Sequence, residues 1–256
     1  MQSSKRKLHS LVKTLREDKI SSLAFYFVSR QIKEGVKKTS KFIDRFSFTL
    51  QKPDLSKEMK EYFKDVVVNQ IISTIDRPDI EMMEYDIISE DLSNRIYTYA
   101  LNNALSFSDI ILNQLNTPSG IDPVESLKII KDDLWAYCIK ITIGGQVIYS
   151  FRKTSRGKIV TDEPRNIKEK ITSFFDSKDS ELKAVIGETM SFDNKIDCIY
   201  FDDTFYVFKK GNFELLVGLE AEFTENANNV IHVIETTGLV EGIDLLKEEI
   251  TQNRGL

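Results

Sequence analysis

Hydrophobic spacing changes period several times along this chain, and each change marks an element. Leu8, Leu11, Val12 and Leu15 recur on one helical face, with Lys5, Arg6, Lys13 and Arg16 elsewhere around it. That predicts a helix over 4–17. Residues 22–29 (SLAFYFVS) are short, aromatic and β-branched, which predicts a strand. Residues 42–50 are broadly alternating, with Phe42, Phe46, Phe48 and Leu50 apolar, and predict a second strand. Between these two strands lies a polar, basic loop that offers Lys33, Lys37, Lys38 and Lys41 to a partner. Pro53 stops the strand. Leu55, Met59, Tyr62, Phe63, Val66, Val67, Gln70 and Ile71 then predict a helix over 55–76 with that buried face, ended by Pro78. Strands or strand fragments follow at 83–88 and 95–101, and a helix at 107–116.

Residues 117–123 (TPSGIDP) form the clearest turn-rich break, which predicts a boundary there. The second half opens on a hairpin, 134–143 and 146–153, joined by Gly144-Gly145. A short amphipathic helix is expected at 166–175. A second hairpin is expected over 195–208, turning at Asp202-Asp203, since Asp tolerates that backbone geometry. A helix carrying Phe213, Leu216, Val217, Phe223 and Ala227 is expected from 213 to about 235. The expected class is α+β: two mixed halves, 1–122 and 123–256, each with a small, largely antiparallel sheet and packed helices. No internal repeat stands out.

Composition adds bounds. The 256 residues are 41% hydrophobic and 29% charged, with a net charge of −5, which excludes fibrous and wholly disordered classes. No apolar run reaches the length of about 20 residues that spans a bilayer. The start lacks the apolar core of a secretory signal. Two Cys, Cys138 and Cys198, cannot form a disulfide framework, so a cytoplasmic location is expected, with both thiols buried in strands.

The charge is unevenly placed. Residues 1–52 hold 13 basic and 4 acidic residues, and 151–170 hold 7 and 3. Residues 193–256 hold 5 basic and 13 acidic residues. Counterion release depends on local contacts, so a mildly acidic protein can bind DNA through convergent basic residues. The candidates are Lys33, Lys37, Lys38, Lys41, Arg152, Lys153, Arg156, Lys158, Lys209 and Lys210. The last two precede a helix, whose N-terminus favours anions. Tyr149 and Phe151 alternate with the hairpin cations and could stack on bases, although core packing is the simpler reading.

Enzymatic signatures are sparse. Phosphate-loop, dinucleotide, nucleophile-elbow and His-Glu-x-x-His patterns are missing from the sequence. His9, His232 and the two Cys are too dispersed for a zinc site. A metal-dependent nuclease would draw on Asp193, Lys195, Asp197, Asp202 and Asp203, and stands as an alternative. No cofactor is expected, and a non-enzymatic role is preferred.

One resemblance covers residues 134–235. A Trp-containing strand leads into a Gly-turn hairpin ending in Phe151-Arg-Lys. Then come Ile196-Asp-Cys-Ile-Tyr-Phe-Asp-Asp-Thr-Phe-Tyr-Val-Phe, Asn212-Phe-Glu-Leu-Leu, and a helix with Phe223 and Ala227. This resembles the carboxy-terminal domain of the KwaB family, the soluble subunits of the bacterial Kiwa anti-phage defence system. Family members continue beyond this helix, so a shortened end is expected here. The resemblance implies a DNA-binding effector that partners a membrane-embedded KwaA-like sensor and blocks phage DNA replication or expression. It fixes no DNA-contacting residue. Sequence-independent DNA binding, homo-oligomerisation as a homodimer, and a position at the inner face of the membrane through the partner complete the expectation. An interaction scaffold without nucleic-acid binding is the remaining alternative, its acidic C-terminal helix docking a basic surface.

Overall fold

The computed structural model describes residues 2–36, 45–86, 89–100, 106–117, 120–160, 173–176, 181–184, 187–219, 232–233 and 236–237. Five helices fall among these residues: α1 (Gln2–Glu17), α2 (Lys57–Ile75), α3 (Ser106–Asn116), α4 (Leu127–Ile130) and α5 (Lys210–Val217). The strands of the first half are β1 (Ile20–Ile32), β2 (Phe46–Lys52), β3 (Glu81–Glu84), β4 (Arg95–Ala100) and β5 (Asp122–Pro123). Those of the second half are β6 (Leu134–Ile143), β7 (Gln146–Lys153), β8 (Ile159–Val160), β9 (Ser173–Asp176), β10 (Glu181–Ala184), β11 (Thr189–Met190), β12 (Cys198–Phe201) and β13 (Thr204–Val207). The class is α+β, as the sequence leads one to expect.

Nine strands share one sheet, in the order β3-β4-β13-β12-β7-β6-β1-β2-β5. All neighbours in it are antiparallel except β3 with β4 and β2 with β5. Strands from both sides of residue 123 are interleaved, since β1 pairs with β6 and β13 with β4. The separate small sheet expected in each half is therefore replaced by one sheet that both halves build. Two further two-stranded ladders, β9 with β10 and β8 with β11, stand outside it.

Alternation along the strands gives the sheet two apolar faces. One face carries Phe25, Phe27, Tyr137, Ile139 and Ile141, and packs on α1 through Leu8, Leu11, Val12 and Leu15 and on α2 through Phe63, Val66, Val67 and Ile71. The other carries Tyr26, Val28, Phe48, Ala136, Cys138 and Phe151, and packs on α3 through Ile111, Leu112 and Leu115 and on α5 through Phe213 and Leu216. Burial on this scale is the main favourable term, at about 25 cal/mol per Å² of apolar surface.

Both predicted hairpin turns form. Gly144 and Gly145 have φ of 55° and 76°, and Asp202 and Asp203 have φ of 49° and 56°. Such paired positive values match the right-handed twist of the flanking strands. A Cβ on Gly144 would lie 2.6 Å from Asp18 Oδ2, the movable end of an exposed side chain, so the positive φ is the main reason glycine suits this turn.

Three further expectations change. Residues 173–176, at the end of the helix expected over 166–175, form a strand that pairs with 181–184, and 166–172 lie outside the described residues. The last helix begins earlier, at Lys210, and its segment through Val217 is capped by Gly218 in the left-handed conformation (φ 75°), while the expected continuation over 220–231 lies outside the described residues. Tyr62 sits on the outer side of α2, at 36% exposure.

Candidate nucleic-acid interface

Arg152 and Lys153 end β7 opposite Tyr137 and Ala136 of β6. Consecutive strand residues point to opposite faces, so these two cations enter different surroundings.

Arg152 lies on the α1–α2 face. Its guanidinium forks onto Asp193, donating from Nε to Oδ1 at 3.1 Å and from Nη2 to Oδ2 at 2.5 Å. Its Nη1 donates to Asp197 Oδ1. Asp197 is fully buried. It also accepts from the Lys153 backbone N–H at 2.6 Å and from Asn212 Nδ2, near the start of α5, at 2.8 Å. Its own carbonyl accepts from the N–H groups of Phe208 and Lys209, at 2.8 and 3.0 Å. Gln70 of α2 clamps the preceding residue, donating to Ile196 O at 2.8 Å and accepting from Ile196 N–H at 2.5 Å. Burial works to raise the Asp193 carboxyl, but hydrogen bonds and charge from Arg152, with Lys158 nearby, hold it below its ordinary value. Burial pushes the Asp197 carboxyl up, opposed by Asn212, the Lys153 N–H and Arg152.

Lys153 lies on the α3–α5 face, where Trp135 organises a different group. Register in the β1–β6 ladder jumps from Val28 opposite Ala136 to Ser29 opposite Leu134, leaving Trp135 as the extra residue of a β-bulge. A bulge re-aims a side chain, and here it brings Trp135 onto the same apolar face as Ala136. The Arg30 guanidinium carbon lies 3.3 Å from the Trp135 ring centroid and 4.3 Å from that of Phe46. The Lys153 ammonium lies 3.7 Å from the Trp135 centroid and donates to Thr154 O at 2.8 Å. Two cations so near one ring centre cannot share a face without overlapping, so they flank the indole. Arg45, just before β2, adds a third cation, 5.2 Å from the Phe46 centroid.

Electrostatics mark this cluster as overcharged. Burial, with Arg30 beside it, lowers the Lys153 ammonium to about 8, while Asp197 acts in the opposite direction. Burial, with Arg45, lowers Arg30 to about 10. Among the described residues no carboxylate forms an ion pair with Arg30, Arg45 or Lys153. The nearby Asp133 carboxylate accepts from Gln31 at 2.6 Å. Cation–aromatic contacts, worth about 0.5–2 kcal/mol each, offset part of the repulsion.

The other candidates are dispersed. Lys33 is exposed, and its backbone N–H donates to Arg45 O at 2.9 Å, at the foot of the β1–β2 connection. Lys37, Lys38 and Lys41 lie outside the described residues. Arg156 and Lys158 are in a 3-10 turn, with Lys158 exposed. Lys209 is exposed at the start of α5. Lys210 is buried, donates to Ser89 O at 2.5 Å and lies 3.4 Å from Glu214, so it serves the interior. Tyr149 and Phe151 are buried core residues. Arg30, Arg45 and Trp135 were not singled out as site residues from the sequence. Arg30 has the same strand parity as Tyr26 and Val28, a signal that it enters a packed face.

The nuclease carboxylates are also separated. Asp193 and Asp197 share Arg152, Asp202 pairs with Lys7 at 2.7 Å, and Asp203 accepts from Tyr200 OH at 2.9 Å. Lys195 is exposed. Among the described residues no group of three or more His, Cys, Asp or Glu gathers in a way that could hold a metal ion. Cys138 and Cys198 are buried free thiols, pushed up by burial.

Residues 131–255 match the model of a family described as Kiwa protein KwaB-like. This stretch, just under half of the chain, is similar to the KwaB-like family. The match begins just before β6 and takes in Trp135, Arg152, Lys153, Asp193, Asp197 and Asn212, while Arg30 and Arg45 come from the half that precedes it. That similarity points to Kiwa anti-phage defence. No curated protein and no solved structure matches the chain. No helix of the described residues is long and apolar enough to cross a membrane.

Proposed function

We propose that this KwaB-like chain is a DNA-binding effector of Kiwa-type defence that grips duplex DNA by its phosphates and does not cut it. Arg30, Arg45 and Lys153 form the centre of the grip. The observation that carries this reading is the gathering of three cations around Trp135 and Phe46 with no ion-pairing carboxylate among the described residues. A phosphate would add the close negative charge that no described carboxylate gives this group by ion pairing. Arg30 and Lys153 occupy the Trp135 ring, so bases gain no stacking platform there and binding is sequence-independent. Exposed Lys33, Lys158 and Lys209 extend the phosphate contacts. A membrane-embedded KwaA-like subunit acts as the sensor, and occupation of phage DNA blocks its replication or expression.

Fluorescence anisotropy with a labelled duplex of random sequence tests the reading. Binding is expected at low salt, and the Arg30→Glu/Lys153→Glu variant is expected to lose about 100-fold, since each reversal replaces a phosphate contact with repulsion. Equal binding by this variant and the wild type, or no binding by either at low salt, overturns it.

A further inference from the structure

Beneath the cation cluster, on the opposite side of β7, Asp197 makes more connections than a simple partner of Arg152 needs. We propose that Asp197 is the positioning residue of the interface, fixing the end of β7 so that the Lys153 ammonium is held over Trp135 as a cation ready for phosphate. The ligand in this statement rests on the DNA-binding reading, while the positioning role rests on geometry alone.

The geometry has three parts. Asp197 Oδ2 takes the backbone N–H of Lys153 itself, at 2.6 Å, so the carboxylate sets where that residue leaves the strand. Its other oxygen is shared by Arg152 and Asn212, tying β7 to the start of α5. Asp197 is in turn held by its buried position and by the Gln70 clamp on Ile196. Asp193 supplies a natural contrast, because it binds the same arginine without reaching Lys153.

Charge adds a second strand of support. The groups facing Lys153 are Arg30 from β1, the Trp135 ring from β6, the Thr154 carbonyl and Asp197, with Arg45 acting on Arg30. Of these, Asp197 alone favours the charged ammonium through its own negative charge, offsetting Arg30. Its removal leaves two like charges around one indole.

Trp135 is the single tryptophan of the chain, so its emission reports directly on the ammonium beside it. The wild type is expected to show an emission step near pH 8, lost in Lys153→Met, because Lys153 is lowered to about 8. Asp197→Asn is expected to move that step to lower pH and to weaken duplex binding about tenfold at neutral pH. Asp193→Asn is expected to leave the step in place and binding within about twofold. A folded Asp197→Asn protein with an unmoved step, or equal losses in the two variants, overturns the proposal. If circular dichroism shows that Asp197→Asn does not fold, Asn212→Ala decides. It loosens Asp197 without changing charge and is expected to weaken binding about threefold, and unchanged binding overturns the role. If the wild type binds no duplex at low salt, the DNA-binding reading fails while the emission arm still decides the role of Asp197.

Discussion

Arg152 and Lys153 are adjacent in sequence and opposite in circumstance. Arg152 meets two carboxylates and an apolar face built with α1 and α2. Lys153 meets another cation across an indole ring. Strand alternation is the whole cause of the separation, since one residue of offset changes the face. The paired cation stiffens the joint between β7, β12 and α5. The other has no ion-paired carboxylate among the described residues, although Asp197 favours its charged form from a distance. Within one β-strand end, the protein thus keeps an ion-paired cation and a ring-bound cation apart, and the proposed DNA contact falls to the second.

That contrast is broken most strongly from the structural side. Arg152→Ala leaves Asp197 buried and Asp193 partly buried without their guanidinium. Loss of one partner of a buried pair costs about 3–5 kcal/mol. Urea unfolding is expected to show a loss of that size, and a change below about 1 kcal/mol would place Arg152 among ordinary surface ion pairs.

On the interface side the sign reverses. Lys153 sits at about 8 in the folded protein against 10.5 for an unperturbed lysine. A lowered lysine binds its proton less well when folded, so it costs stability in full below about pH 8. The cost fades as pH rises toward 10.5, so this residue makes stability increase with pH across that window. Lys153→Met is expected to raise stability by about 1–2 kcal/mol at neutral pH, discounted for partial exposure, with the gain vanishing near pH 10.5. Thermal melts of the two proteins across pH check this. On the proposed reading the same variant is expected to weaken DNA binding, a conflict between stability and function typical of binding sites.

Local chemistry was readable in the sequence and long-range pairing was not. The Gly144-Gly145 and Asp202-Asp203 turns declared themselves because their backbone demands are met by few residue types. The apolar faces of α1 and α2 were legible from their period, apart from Tyr62, which turns outward. The single sheet was hidden, because β1 and β6 are separated by about a hundred residues and neither strand carries a mark of its partner. The same distance problem governed the site. Arg152 reads as a surface cation until Asp197, 45 positions later, comes beside it. Lys210 reads as part of a basic pair until Ser89 and Glu214 surround it. Arg30 becomes a neighbour of Lys153 only through the sheet and through the bulge that turns Trp135, and Arg45 joins through Phe46 and Arg30. The strand at 173–176 was misread because a short apolar run fits either period, and its pairing with 181–184 decides the matter.

The central claim is that Arg30 and Lys153 each neutralise a phosphate while Arg152 does not. Its most direct test is the salt dependence of duplex binding in the wild type and in Arg30→Met/Lys153→Met. Each lost phosphate contact reduces the slope of log K against log salt by about 0.9. A slope shallower by about 1.8 in the double variant is the expected result. An unchanged slope would contradict the claim and move the DNA surface elsewhere on the protein.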